Sequence, residues 1–144
     1  MKKELIAISL ENNNELPQYQ TSGSAGCDLQ AKEDFIIQPH SAQLVFTGIK
    51  IALPDQFVGF VTSRSGLALK NRVFVLNAPG IIDRDYRGEI GVILFNASND
   101  IFYGKKNMRI AQLLILKYIQ AEFQIVDNLD ETDRNGGGFG STGL

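Results

Sequence analysis

The chain has 144 residues, of which 44% are apolar, and a formal charge of -2. This length fits one domain, and the apolar fraction is sufficient for a hydrophobic core. The charge balance excludes a basic surface for long nucleic acid but is compatible with a small phosphorylated ligand. One histidine and one cysteine exclude the usual zinc sites and an internal disulfide. No segment has the layout of a signal peptide or the length to span a bilayer, so we expect a cytoplasmic protein.

Short apolar segments separated by turn residues extend through most of the chain, which is typical of strands. The predicted strands are 5–10, 27–31, 35–37, 44–53, 57–62, 73–76, 89–96, 101–103, 110–119 and 123–126. A polar turn over 11–15 contains three asparagines. The continuous apolar segment 110–119 also suits a buried helix, but the strands on both sides favour a strand. The only predicted helix is 65–70, behind a serine cap. The pattern predicts an all-β, jelly-roll-like sandwich or barrel over residues 1–126.

The segment 77–89 combines a Pro-Gly turn signal, the pair Ile81 and Ile82, two aspartates and an aromatic residue. It predicts a tight β-hairpin whose bend holds Asp83 and Tyr86 over a concave surface. In an isolated Asp-x-Asp sequence, Asp83 and Asp85 are more often simple turn formers. Other segments of the sequence are therefore needed to distinguish a functional role of these aspartates from simple turn formation.

The chain becomes polar at residue 127, and 134–143 is rich in glycine. Such a composition usually indicates a flexible terminus. This segment also contains Arg134, Phe139, Ser141 and Thr142, and glycine amides, hydroxyls and a guanidinium together suit phosphate oxygens. We therefore predict that residues 127–144 form a flexible arm that orders over a ligand.

Five segments, in this order, resemble motifs of the trimeric deoxyuridine triphosphate nucleotidohydrolases (dUTPases). They are 25–31 (Ala-Gly-Cys-Asp-Leu-Gln-Ala), 63–68 (Ser-Arg-Ser-Gly-Leu-Ala), 77–89, 109–113 (Arg-Ile-Ala-Gln-Leu) and the arm segment 134–143. The resemblance covers almost the whole chain. It implies a jelly-roll homotrimer with active sites shared between subunits, in which the arm and the hairpin of one site come from different chains.

The resemblance implies hydrolysis of dUTP to dUMP and pyrophosphate, which limits uracil incorporation into DNA and supplies dUMP for thymidylate synthesis. Asp83 matches the general base that activates water for attack on the α-phosphorus, and an aspartate is ionised at neutral pH. Tyr86 matches the tyrosine that excludes a 2′-hydroxyl, a task for steric exclusion because an apolar pocket rejects a hydroxyl only roughly a hundredfold. The backbone of Gly80–Ile82 and Gly91, with the side chain of Asn77, would pair with uracil.

The resemblance also implies residues for the phosphates and for Mg²⁺. Arg64, Ser65 and Gly66 match a phosphate-binding segment at a helix start, where free amides favour an anion; an ordinary helix cap with a surface arginine is the alternative. Gln112 matches a phosphate-contacting glutamine. Asp28 matches an aspartate that contacts hydrated Mg²⁺ through water, and a strand-end turn former is its alternative.

In the arm, the resemblance implies that Phe139 stacks on the uracil ring and that the other residues close over the β- and γ-phosphates. These other residues are Arg134, Gly140, Ser141 and Thr142.

Two other functions are compatible with this fold. The related dCTP deaminases carry a glutamate base in the strand after the third motif, but here 91–95 reads Gly-Val-Ile-Leu-Phe, without a carboxylate. A catalytically silent trimeric binding protein would have lost its site, whereas Asp83, Tyr86, Gln112 and Phe139 are all present.

Overall fold

The structure, a computed structural model, describes residues 3–11 and 15–143, which form eleven strands and one helix. The elements are β1 (Ala7–Leu10), β2 (Cys27–Gln30), β3 (Phe35–Ile37), β4 (Ser41–Phe46), β5 (Ile49–Ala52), β6 (Phe57–Thr62), α1 (Ser65–Asn71), β7 (Val73–Val75), β8 (Gly80–Ile82), β9 (Gly91–Asn96), β10 (Phe102–Gly104) and β11 (Arg109–Lys117). The asparagines 12–14 of the predicted turn, and residues 1, 2 and 144, lie outside the described residues. Within the described part of the chain, no helix has the length and apolar character needed to cross a membrane.

The strands pair antiparallel in two larger sheets, β2-β11-β6-β8 and β4-β9-β7, and two strand pairs, β1-β5 and β3-β10. Alternate side chains of each larger sheet face the interior; Val92 and Leu94 of β9, for example, are fully buried. They belong to one apolar cluster with Leu29 of β2 and Leu113 of β11. The predicted all-β, jelly-roll-like fold with one short helix is confirmed.

Two predicted strands are wrong. The segment 44–53 is divided between β4 and β5 at Thr47 and Gly48, where Gly48 adopts a φ of 70° and the backbone turns. Both the amide and the hydroxyl of the buried Thr47 donate to the Ile90 carbonyl, at 3.1 and 2.8 Å. The segment 123–126 forms no strand, and the side chains of Phe123 and Ile125 are exposed. By contrast, 110–119 is confirmed as a strand, β11.

The helix begins as predicted at Ser65, but its cap is different. Arg64 occupies the N-cap position, and no side chain caps the helix, so the predicted serine cap is wrong. The preceding serine, Ser63, instead accepts a hydrogen bond from the Val75 amide at 2.9 Å. The helix ends at Asn71, and Arg72 caps it in a left-handed conformation with its amide donating to the carbonyls of Ala68 and Leu67.

The segment 77–89 is not a two-stranded hairpin. Its strand β8 pairs with β6, whereas the next strand, β9, pairs with β4 and β7 in the other sheet. The chain thus crosses between sheets before and after β8, and strands adjacent in sequence do not pair. After β8 the backbone forms a tight turn, in which the Tyr86 amide donates to the Asp83 carbonyl at 3.1 Å.

Candidate functional site

A row of residues across β2, β11 and β6 brings three of the five segments together. Gln112 is opposite Asp28 on one side and opposite Thr62 on the other. The chain leaves β6 at Thr62 and reaches Arg64 two residues later. Asp28, Arg64 and Gln112 therefore lie at the same end of the four-stranded sheet.

Asp28 is a buried carboxylate, 4% exposed, that binds two guanidinium groups. Its Oδ1 accepts from Nε of Arg64 at 3.0 Å, and its Oδ2 accepts from Nη1 of Arg109 at 3.2 Å. Arg64 also donates through Nη1 to the Arg109 carbonyl at 3.3 Å. Two cations paired with one anion leave a net positive charge, and both arginines are partly exposed. This arrangement suits an anionic ligand.

Arg109 also belongs to this group, although no role was predicted for it from the sequence. In a regular strand, residues 109 and 112 face opposite sides of the sheet. A β-bulge in β11 shifts the register between Arg109 and Ala111, so that Ile110 and Ala111 are both fully buried. The bulge re-orients Arg109 relative to Gln112. Only its inclusion in the segment 109–113 could have indicated it.

The ion pairs of Asp28 also test its predicted contact with Mg²⁺. Each carboxylate oxygen already accepts from a guanidinium, and a cation bound there would face two positive groups. Direct coordination of Mg²⁺ by Asp28 therefore does not fit this arrangement, and a contact through water stays a prediction. Among residues 3–11 and 15–143, no group of three or more histidine, cysteine, aspartate or glutamate residues is arranged to hold a metal ion.

The residues predicted to read the base and sugar lie around β8. A Cβ at the buried Gly80 would be 3.4 Å from Nδ2 of Asn77, so this amide lies beside the Gly80 backbone. Ile81 is half-exposed and Ile82 is buried. Asp83 is exposed directly after the strand. Gly80 begins the edge strand β8, Asp83 directly follows it, and the Asn77 side chain lies beside its first residue.

Gly91 is not part of this group through any strand pairing. It begins β9, opposite Phe46 of β4 in the other sheet. A Cβ at residue 91 would be 2.7 Å from Cδ1 of Leu44, so the glycine permits close packing of β4 against β9. Gly91 pairs in the other sheet and not with β8, so its predicted contact with uracil stays a prediction.

The residues predicted to read the base and those predicted to bind the phosphates are separated within one chain, and their pairing along β6 gives the separation. Ile82 is opposite Gly59, whereas Gln112 is opposite Thr62. Three residues of strand span about 10 Å, and Asp83 and Arg64 lie beyond these two points in opposite directions. A base at Asp83 must act on a phosphate within hydrogen-bonding reach of one water. A single chain therefore does not bring Asp83 to the Arg64 group.

The arm folds on itself. Hydrogen bonds within 132–143 join residues three positions apart, including Nε of Arg134 to the Gly137 carbonyl at 2.8 Å. The Phe139 side chain is fully exposed. In the part of the chain that the structure describes, no hydrogen bond links this segment to the sandwich. Gly140, Ser141 and Thr142, which are also predicted to bind phosphate, are exposed and belong to no strand.

Comparison with known proteins relates this arrangement to one family. Residues 12–143 match the family model described as dUTPase. A deoxyuridine 5'-triphosphate nucleotidohydrolase of Dictyoglomus turgidum is 50% identical over 133 residues, which cover 90% of each chain. The corresponding protein of Orientia tsutsugamushi (strain Ikeda) is 50% identical over 147 residues, covering 100% of this chain and 99% of the relative.

Solved structures show the same fold. The dUTPase of Staphylococcus bacteriophage 80alpha with dUpNHpp has a TM-score of 0.86 at 23% identity, covering 99% of this chain and 100% of that one. A mutant dUTPase from phage phi11 of S. aureus, described for its coordination of a structural Mg(II) ion, has a TM-score of 0.82 at 19% identity, covering 89% of this chain and 100% of that one. The extent of the family match and the level of identity over nearly the whole chain show that the protein belongs to the dUTPase family.

Proposed function

We propose that the protein hydrolyses dUTP to dUMP and pyrophosphate. The observation that carries this proposal is the pair of guanidiniums, Arg64 and Arg109, held by buried Asp28 beside Gln112. These groups are fixed by protein contacts before a ligand arrives, so little reorganisation is needed to bind a polyphosphate. The relatives that share about half of this sequence are named deoxyuridine 5'-triphosphate nucleotidohydrolases.

Asp83 is the proposed general base. The ionised carboxylate takes a proton from a water molecule, and the water oxygen forms a bond to the α-phosphorus. The bond from that phosphorus to the oxygen bridging to the β-phosphorus then breaks. This oxygen leaves with pyrophosphate, while the α-phosphate remains on dUMP. Charge develops on the phosphate oxygens, where the guanidiniums of Arg64 and Arg109 and the amide of Gln112 would stabilise it.

The segment after β7 provides the proposed specificity. Asn77 and the backbone of Gly80–Ile82 would pair with the uracil edge, because the amide side chain lies directly beside Gly80. Tyr86, in the same turn as Asp83, would pack against the deoxyribose and leave no room for a 2′-hydroxyl. Steric exclusion is the appropriate device, since apolar contact alone discriminates poorly against an added hydroxyl.

A homotrimer would complete the site. Because Asp83 and Arg64 lie at opposite ends of β6, a second copy has to supply one of the two groups. An apolar face formed by Leu44, Phe46, Phe74, Ile93 and Phe95 on the three-stranded sheet supports packing between copies. Leu44 and Phe46 are each nearly half-exposed in the single chain.

The arm, residues 127–144, would close over this shared site. Within the described residues 127–143, its hydrogen bonds join residues of the arm only. Phe139 is available to stack on uracil, and Arg134, Gly140, Ser141 and Thr142 to contact the phosphates. Mg²⁺ is the proposed cofactor and would arrive with the triphosphate, whose charge it neutralises. The mutant phage phi11 dUTPase is described for its coordination of a structural Mg(II) ion, so this metal occurs in a protein of the same fold.

A substrate assay tests this proposal. The purified protein is incubated with Mg²⁺ and dUTP, dCTP, dTTP or UTP, and pyrophosphate and ammonia are followed. Pyrophosphate from dUTP alone is the expected result. Ammonia from dCTP would show a deaminase, and the absence of both products would show a binding protein.

A further inference from the structure

The ring of Tyr86 folds back onto its own turn. A Cβ at Gly88 would overlap with Oη and Cζ of Tyr86, so the phenol occupies the space that a side chain at 88 would need. The φ of Gly88 lies outside the left-handed region, and an L residue is therefore compatible with the backbone. The absence of a Cβ at Gly88 thus serves the packing of the tyrosine ring.

A hydrogen bond fixes the far end of this ring. The Tyr86 hydroxyl donates to the carbonyl of Glu89 at 3.0 Å. The near end is fixed by the turn itself, since the Tyr86 amide donates to the Asp83 carbonyl. The ring is held at both ends although its side chain is partly exposed.

The Glu89 carbonyl is in turn held in place by groups outside the turn. The side-chain Oε1 of Glu89 accepts from the Gly48 amide at 2.6 Å, and its Oε2 lies 3.4 Å from Nζ of Lys32. The same ammonium binds Oε2 of Glu11 at 2.8 Å. On the other side of the carbonyl, the Ile90 amide donates to the Ile49 carbonyl at 2.8 Å. Glu89 therefore links the turn to Gly48, between β4 and β5, and to Lys32, which follows β2.

We propose that Gly88 and Glu89 are positioning residues that set the place of the Tyr86 ring and so determine how strongly the enzyme rejects a ribonucleotide. Gly88 lets the ring fold back, and Glu89 supplies the carbonyl that holds its hydroxyl. This inference rests on the proposed function, because it assigns the Tyr86 ring to the 2′ position of the substrate sugar.

Gly88→Ala tests the position of the ring directly. The clash falls on the outer atoms of the tyrosine side chain, which can rotate away while the fold is kept. We expect the ratio of kcat/KM for dUTP to that for UTP to fall by about tenfold or more, towards the roughly hundredfold discrimination that an apolar pocket provides without a steric filter. Gly23→Ala is the matched control, since nothing lies within 4 Å of a Cβ there, and it should leave the ratio unchanged.

Variants at the two ends of the hydrogen bond provide a second test that does not depend on Gly88. Tyr86→Phe removes the donor but keeps the ring, and Glu89→Ala removes the side chain that anchors the acceptor. Each should lower the dUTP to UTP ratio several-fold, as expected for the loss of one hydrogen bond. Glu89→Gln keeps an acceptor for the Gly48 amide and should restore most of the ratio.

An unchanged ratio in Gly88→Ala, with a ring still in place by crystallography, would overturn the role of Gly88. Equal ratios for Glu89→Ala and the wild type would overturn that of Glu89. A wild-type enzyme that turns over dUTP and UTP equally would instead contradict the proposed function, and the inference with it.

Discussion

Asp28 illustrates how one buried side chain determines the geometry of exposed ones. Its carboxylate holds Arg64 by Nε and Arg109 by Nη1, so the remaining donors of each guanidinium are directed by the pairing. Removing a buried partner leaves cations with less compensation and disorders their side chains. Asp28 is therefore better explained as a positioning residue for two arginines than as a turn former.

Asp28→Asn should destabilise the protein and weaken the triphosphate contacts. We expect a loss of about 1–3 kcal/mol in the free energy of unfolding, because charged hydrogen bonds are removed but both arginines still reach water. Urea denaturation measures this loss. Asp34→Asn is the control, since Asp34 pairs with Lys105 in an exposed position; equal losses in the two variants would contradict the account.

Asp83→Asn should retain the fold and nucleotide binding but lose turnover. Removal of a general base costs about 10²–10⁴-fold in kcat. Binding of a non-hydrolysable dUTP analogue, measured by calorimetry, should change little. Asp85→Asn is the matched control, because Asp85 lies in the same turn and is expected only to shape it; a near wild-type kcat in Asp83→Asn would place the base elsewhere.

Among the elements, the sandwich and its helix follow from local patterns, whereas the surroundings of the site depend on long-range pairing. The apolar segments 89–96 and 110–119, separated by turn residues, predict strands, and both are confirmed as β9 and β11. The pairing of β8 with β6 was not predictable, because the turn signals at 77–80 are equally compatible with a local hairpin. The role of Arg109 depends on a β-bulge, which leaves no mark in hydrophobic periodicity.

The same limit explains the division of the segment 44–53. Its apolar residues continue on both sides of Gly48, so composition alone gives no reason to end a strand. The strand ends there because of long-range hydrogen bonds. The Thr47 hydroxyl donates to the Ile90 carbonyl, and the Gly48 amide donates to the Glu89 carboxylate. By contrast, the five segments that resemble family motifs are visible in the sequence, because the resemblance depends on residue types and not on packing.

The arm should be dispensable for stability but not for catalysis. Among the described residues 134–143, truncation before Arg134 removes only local hydrogen bonds and largely exposed residues, so the melting temperature should be unchanged. The loss of Phe139 stacking alone is worth roughly 1–3 kcal/mol, and kcat/KM should fall by about tenfold or more. Phe139→Ala in the full chain should reproduce much of this loss. Unchanged kinetics in both variants would show that the arm is only a tail.

The ion pairs around Lys32 should make stability depend on pH. A hydrogen bond from Lys32, with its charge, holds the pKa of Glu11 below its ordinary value. A lowered folded-state pKa contributes stability that is present above the unfolded-state value and is lost as the pH falls through the folded-state value. We expect Glu11→Gln to be less stable than the wild type at pH 7 and equal to it in strong acid, by urea denaturation. An equal difference at both pH values would contradict this.

At the scale of the whole molecule, we propose that one active site is assembled from several copies of the chain. Asp83 and Arg64 lie towards opposite ends of β6, and the apolar face of β4, β7 and β9 is partly exposed. Within the described residues 127–143, the arm makes hydrogen bonds only to itself. In a monomer, the site would be incomplete, the arm would have no site to close over, and the exposed apolar face would be unfavourable. The proposed closed symmetric trimer would account for all three features.

Subunit complementation tests this claim most directly. The Asp83→Asn protein and the protein truncated before Arg134 are unfolded together, refolded as a mixture, and the mixed trimers are verified by native mass spectrometry. If base and arm come from different chains, random mixing restores about a quarter of the wild-type rate, because half the sites have the carboxylate and half of those have the arm. If verified mixed trimers hydrolyse dUTP no faster than the two variants alone, the base and the arm of each site belong to one chain, and the account is contradicted.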